Sequence, residues 1–211
     1  MKIYKYLDYI TELIYRKLMR FRLNNKKFSI ISNDCWGGSV YLDLGIPYTS
    51  PTVNLFIYSS CYIKFIKDLE KYISLDLVFV DKSKYDVSNE HRKKKNKYYP
   101  IGMLDDIEIH FLHSKDNIDA QMKWNMRKER IDFNNLFFKF SDSHMIDSKD
   151  LLEFEKLPFK NKVIFVSKKY DGLNKYVLLN FFKKQGEVSD PFKYVWIYRL
   201  HFDFVKWINK G

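Results

Sequence analysis

The sequence predicts an α/β fold, a layered, mostly parallel or mixed sheet flanked by helices, Rossmann-like in outline. Three observations predict it. Short apolar runs rich in Ile, Val and Phe alternate with segments whose apolar residues recur every three or four positions. Polar clusters follow several of those runs, as happens where strands end at a ligand edge. The 211 residues, 46% of them hydrophobic, suffice for a buried core and exclude wholesale disorder.

Each element has its own reason. Residues 1–23 form an amphipathic N-terminal helix set before a single α/β domain over 24–211. Ile3, Leu7, Ile10, Ile14, Leu18 and Phe21 fall at helical spacing and read as a packing face. The basic flank of Lys17, Arg20 and Arg22 also suits an anionic membrane surface. The run 28–32 predicts a buried strand, followed by the turn Asp34-Cys35-Trp36-Gly37-Gly38. A short helix over 39–44 stops at Gly45 and Pro47. Further strands are expected near 53–58, 75–80, 105–112, 136–140 and 162–167, all in one sheet. Helices are expected over 60–73, 117–130, 148–155 (capped by Ser148 or Asp147), 174–184 and 202–208. The polar, basic stretch 82–97 reads as a solvated loop.

The net charge of +11 suggests a polyanion partner. Seven arginines stand against 30 lysines, however, and lysine shares AT-rich codons with the abundant Asn, Ile, Tyr and Phe. Arginine is the residue that grips phosphates and bases, so no nucleic-acid partner is expected. Two cysteines are too few for a disulfide scaffold or a four-cysteine zinc site. No run of 18 apolar residues and no signal-peptide pattern occur, so the expected location is cytoplasmic, extending to the inner face of the membrane through residues 1–23.

Three clusters carry candidate chemistry. The first is Asn33-Asp34-Cys35-Trp36-Gly37-Gly38. A helix starting beyond it would favour an anion and lower the Cys35 pKa, making a thiolate nucleophile. Asn33, Trp36, Gly37 and Gly38 then become ligand-binding candidates, the glycines through close backbone approach. The plainer reading is a tight turn with a buried thiol. The second cluster is a strand whose alternation puts Asp106, Glu108 and His110 on one face. Such a carboxylate–histidine pairing serves general base catalysis, with His113 just beyond as a ligand contact. Its spacing matches no metal site, so no metal is expected. The third cluster is Trp124 and Arg127, helix neighbours that could stack on or bind phosphate. The bland alternative is a core tryptophan beside a solvated basic face. Ser141-Asp142 and Ser167-Lys168 also follow strands but are weak signals alone.

The stretches FSIISNDCWGG, YLDLGIPYTSPTVNLF, YPIGMLDDIEIHFLHS, KWNMRKERI, LPFKNKVIFVSKKY and FDFVKWINKG resemble a bacterial family of exopolysaccharide biosynthesis proteins catalogued as a domain of unknown function. The resemblance runs from about residue 22 to the end. Asp34 stands where that family usually has Asn. The resemblance implies an α/β layered sheet and a place beside glycosyltransferases in capsule or exopolysaccharide assembly. It does not specify a cofactor. Together with the clusters it leads to a transferase acting on a nucleotide sugar or lipid-linked glycan. The most concrete version is acyl transfer from an acyl donor, with Cys35 as nucleophile, His110 as base, and Asp106 or Glu108 as its orienter. Direct glycosyl or phosphoryl transfer is the variant. A non-catalytic glycan- or partner-binding module is the alternative.

Overall fold

The structure, a computed structural model, describes residues 2–94, 98–143 and 146–211, with side chains from residue 8 onward. Ile3 and Leu7 of the expected helical stripe, and 95–97 of the expected loop, lie outside what it describes at that level. In chain order come α1 (Lys2–Arg22), β1 (Ser29–Ser32), α2 (Trp36–Leu44), α3 (Ser59–Lys67) and α4 (Leu69–Ser74). Then follow β2 (Val78–Val80), α5 (Asp86–Lys94), β3 (Ile101–Leu104), β4 (Ile107–His110) and α6 (Asn117–Lys128). The chain ends with β5 (Leu136–Ser141), α7 (Ser148–Lys156), β6 (Lys162–Val166), β7 (Val177–Leu178), α8 (Val195–His201) and α9 (Phe204–Ile208).

The described strands form two sheets, which corrects the expectation of one. Sheet A has the order β1-β5-β6-β7 with every pair parallel. Sheet B is the antiparallel set β2-β3-β4. The fold is therefore α/β with a mostly parallel main sheet.

Side-chain alternation explains how sheet A is covered on both faces. Ile31, Phe138, Phe140, Ile164 and Val166 face a core built with α3, α7 and the inner residues of sheet B. Ile30, Phe137, Val163 and Phe165 face a second core built with α1, α2, α8 and α9. β1 is an edge strand, yet all four of its residues are buried. Side chains cap its open edge: the Ile30 N–H donates to Tyr41 Oη at 3.0 Å, and the Ser32 N–H to Thr52 Oγ1 at 3.1 Å. That closure blunts the pairing hazard of a free edge.

Five local expectations fail for identifiable reasons. Residues 53–58 are not a strand: Asn54 takes a left-handed φ of 61°, and the segment keeps a single bridge from Phe56 to His110. The expected strand over 105–112 is the second half of a hairpin, β3–β4, turned at Asp105 with φ 54°. The long helix over 60–73 breaks at Asp68 into α3 and α4. Part of the basic stretch 82–97 folds as α5, held by the Ser83–Asn89 hydrogen bonds. The expected helix over 174–184 is instead β7 followed by a 3-10 turn, Asn180–Phe182.

Helix α1 packs through the opposite side from the one its periodicity suggests. Met19 and Leu23 are buried, whereas Ile14, Leu18 and Phe21 are 60%, 50% and 87% exposed. Charge docks the helix instead. Arg199 on α8 donates to both carboxylate oxygens of Glu12 at 2.6 and 2.7 Å, and its Nε to Asp43 on α2 at 3.0 Å. The exposed stripe is accompanied by exposed Lys17, Arg20, Lys26 and Lys27.

Candidate functional site

Because β1 and β5 run parallel, their carboxyl ends meet at one edge. That edge holds a buried polar cluster. Lys139 on β5 shares a face with Phe137 and is fully buried, its ammonium above the Phe165 ring. The ammonium pairs with Asp34 Oδ2 and donates to Ser141 Oγ at 2.8 Å and Asn33 Oδ1 at 3.3 Å. Ser141 Oγ donates to Asp34 Oδ2 at 2.8 Å and meets Ser143 Oγ at 3.0 Å. Burial pushes the Lys139 ammonium below its usual range. Burial would push Asp34 up, but the facing Lys139 charge holds its carboxyl below the usual value.

A second carboxylate organises the neighbouring loop. Asp142 Oδ2 accepts from the Ser167 N–H at 2.7 Å and from Ser167 Oγ at 2.8 Å, while Oδ1 accepts from the Val188 N–H at 2.8 Å. The Val188 bond pins the 187–191 segment against the sheet edge. A cavity of about 300 Å³ lies between that segment and the ends of the strands. Asp34, Glu187 and Asp190 contribute carboxylates to its wall, and Ser143 and Ser189 hydroxyls. Phe56, Tyr99, His91 and His113 supply rings. The position agrees with the rule that open α/β sheets bind ligands beyond the strands' carboxyl ends.

The first expected cluster is therefore present but wired differently. Asn33 and Asp34 close β1, Asp34 lines the cavity, and Cys35 does too. α2 begins at Trp36, three residues earlier than expected. Its first turn is occupied by the chain's own anion, since Asp34 Oδ1 accepts from the Trp36 N–H at 2.9 Å. The Cys35 pKa moves opposite to the expectation. Burial, reinforced by the Asp34 charge, pushes the thiol up to about 12. Its Sγ donates to the Leu55 carbonyl at 3.6 Å. Trp36 is a core side chain, 5.1 Å from the Phe165 ring. Gly37 and Gly38 sit inside α2 and serve packing. A Cβ on Gly38 would lie 2.3 Å from Asn54 Oδ1, so the missing side chain lets α2 press against the 51–54 turn.

The strands that carry the first and second clusters are not parallel neighbours as expected, because β4 belongs to sheet B and is antiparallel to its neighbour. His110 is fully buried, with ring centroids of Tyr58, Phe56 and Tyr99 at 5.3, 5.6 and 5.8 Å. Its Nε2 lies 2.8 Å from Glu108 Oε1, though neither ring nitrogen has a well-directed hydrogen bond among the described residues. Glu108 is committed to the loop after β2. It accepts from Ser83 Oγ, and from the Lys84 N–H at 2.8 Å. Burial would raise the Glu108 carboxyl, but His110 and these donors hold it below its usual range. Asp106 sits at the far end of β4 in the exposed hairpin turn, paired with Lys64 and accepting from Tyr72 Oη at 2.8 Å. Phe56 and Tyr99 stand against the His110 ring and also line the cavity wall.

The third cluster is brought together. His113, Trp124 and Arg127 border a separate small cavity of about 30 Å³, and Leu55 and His113 border both cavities.

Sequence reasoning missed Lys139, and passed over Ser141, Asp142 and Ser167 as weak signals. A lysine between phenylalanines in LFFKFS was the available sign. Charge inside a strand buried on both faces needs a partner, and Asp34 is that partner.

A protein of Haemophilus influenzae (strain ATCC 51907 / DSM 11121 / KW20 / Rd), described as an uncharacterized protein, is 35% identical over 200 residues, which is 93% of this chain and 90% of the relative. The family described as domain of unknown function (DUF1919) matches residues 7–209, and the chain belongs to it.

Proposed function

We propose that this protein acts in bacterial exopolysaccharide or capsule biosynthesis as a transferase, taking a nucleotide sugar or lipid-linked glycan into the cavity at the carboxyl edge of sheet A. The observation that carries the reading is the wall of that cavity. Carboxylates and serine hydroxyls accept and share hydrogen bonds with sugar hydroxyls, while Phe56 and Tyr99 offer flat apolar faces to a sugar's C–H face. The motif resemblance in the sequence supports the pathway.

The chemistry favoured is direct transfer to a glycan hydroxyl. A thiol whose pKa is raised to about 12 is a poor nucleophile, which counts against an acyl-enzyme on Cys35. Asp190 is the base we assign. Its Oδ1 accepts from the Phe192 and Lys193 N–H groups at 2.9 and 3.2 Å, and Oδ2 takes none of the hydrogen bonds among the described residues. Oδ2 would accept the proton of the attacking hydroxyl as its oxygen bonds the sugar's anomeric carbon and the anomeric carbon–phosphate oxygen bond breaks, the nucleotide phosphate leaving with the electron pair. The exposed Ile14, Leu18 and Phe21 stripe of α1, with its lysines and arginines, would rest on an anionic membrane where lipid-linked acceptors lie.

The test incubates the full chain with panels of nucleotide sugars and acyl-CoAs, reading thermal shift and then nucleotide release with glycan acceptors. A nucleotide sugar should raise Tm. Asp190→Asn, which keeps the Oδ1 acceptor, should retain that shift and lose release. Stabilisation by acyl-CoA alone would overturn the reading. A shift without release from any acceptor would make the protein a glycan-binding module.

A further inference from the structure

The small cavity beside α6 is bordered by buried donors that no group among the described residues satisfies. Trp124 is 1% exposed and Arg127 is 7% exposed. The Trp124 indole N–H and the Arg127 Nε–H are both buried without a hydrogen-bond partner among the described residues. The rest of the guanidinium is fixed rather than neutralised. Its Nη1 donates to the Val53 carbonyl at 2.9 Å, and the group lies 5.0 Å from the Tyr48 ring centroid. Arg127 enters none of the ion pairs among the described residues, and burial draws its pKa below the usual value. A buried guanidinium without a carboxylate is costly unless an anion arrives from outside.

Other groups at this cavity suit an anion. Lys123 lies on its rim, tethered to Asp119 at 2.6 Å, and Ser114 adds a hydroxyl. Trp124 and Arg127 are one helical turn apart on α6, so both donors come from one rigid element. The indole is held by Phe111 and Phe65, at centroid distances of 6.2 and 6.4 Å.

We propose that this cavity is a binding site for a phosphoryl group, held by the Trp124 indole N–H, the Arg127 guanidinium and the Lys123 ammonium. The site stands on these donors alone. Because Leu55 and His113 also border the larger cavity, the bound group is assigned as the phosphate end of a ligand whose body lies there. That extension rests on the function proposed above.

The test follows the indole N–H resonance of Trp124, assigned with Trp124→Phe, as inorganic phosphate is titrated into the full chain at constant ionic strength. The resonance should move saturably. Phosphate affinity, measured by calorimetry, should fall roughly tenfold or more in Arg127→Met, the loss expected for one charge-assisted pair. Trp124→Phe keeps the ring packing and should weaken binding several-fold. An unmoved indole resonance at tens of millimolar phosphate would overturn the proposal and leave water as the partner of these donors. So would an equal response to acetate, or unchanged affinity in a folded Arg127→Met. Inorganic phosphate contains no sugar, so phosphate binding without nucleotide-sugar binding would sink the proposed function and spare this site.

Discussion

Lys139 on β5 and Asp34 at the end of β1 face each other across two neighbouring parallel strands, although 105 residues separate them in the chain. Each is the other's counter-charge, Lys139 fully buried and Asp34 nearly so. Removing one leaves the other stranded. Lys139→Met should therefore cost about 3–5 kcal/mol, and Asp34→Leu a comparable amount. The double variant should lose much less than the two losses added, because no charge is then left unpaired. Urea denaturation of the four proteins measures this, and additive losses would show that the pair is not coupled.

Acid should destabilise the fold through Asp34 and Glu108. Both have folded-state pKa values below their ordinary values of 3.8 and 4.5. A carboxyl depressed on folding contributes stability that is complete above its unfolded value and is lost as pH falls through the folded one. The denaturation midpoint should hold steady above pH 4.5 and drop below 3.8. Asp34→Asn should flatten part of that drop. A midpoint that rises on acidification would contradict the assignment.

Cys35 should behave as an inert thiol. With a pKa near 12 its thiolate fraction at pH 8 is smaller than that of a free thiol by roughly a thousandfold or more. Alkylation by iodoacetamide, followed by peptide mass spectrometry, should be slower by about that factor. Cys35→Ala should leave ligand-induced thermal shifts intact. Rapid labelling of Cys35 at neutral pH would restore the nucleophile reading.

The α1 stripe gives a membrane prediction that spares the fold. Deleting the helix would remove Met19 from the second core and the Glu12 partner from Arg199, so deletion is uninformative. Ile14→Asp, Leu18→Asp and Phe21→Asp change only exposed positions. Together they should abolish co-sedimentation with anionic vesicles while Tm stays within a few degrees, as surface substitutions usually allow. Undiminished vesicle binding by the triple variant would rule out this face.

Much of the parallel core was legible. The runs that became β1, β5 and β6 are buried on both faces, so they read as short, mostly apolar segments, with Lys139 and Ser141 interrupting β5. The α7 start was legible because Asp147 accepts from the Lys149 N–H at 2.9 Å, a cap with a local signature. The β3–β4 hairpin was hidden because its turn uses a left-handed Asp105 where a glycine would have announced it. The face of α1 was misread because its docking depends on Arg199, far along the chain. The site followed the same division. Cys35 and Asp34 were placed at the correct edge, but the low Asp34 carboxyl depends on Lys139 and the raised Cys35 thiol on burial beside Asp34, and a local reading supplied neither.

The pairing of β1 with β5 also sets an order of assembly. β1 ends at Ser32 and its partner begins at Leu136, with all of sheet B lying between them. β5, α7 and β6 are consecutive and close over a short span, so they suit an early nucleus. Closing the long loop to β1 comes at an entropic cost that only the finished interface offsets. During synthesis the first strand emerges long before its partner. Until then, the residues that later form the carboxyl edge of sheet A have no pocket to line.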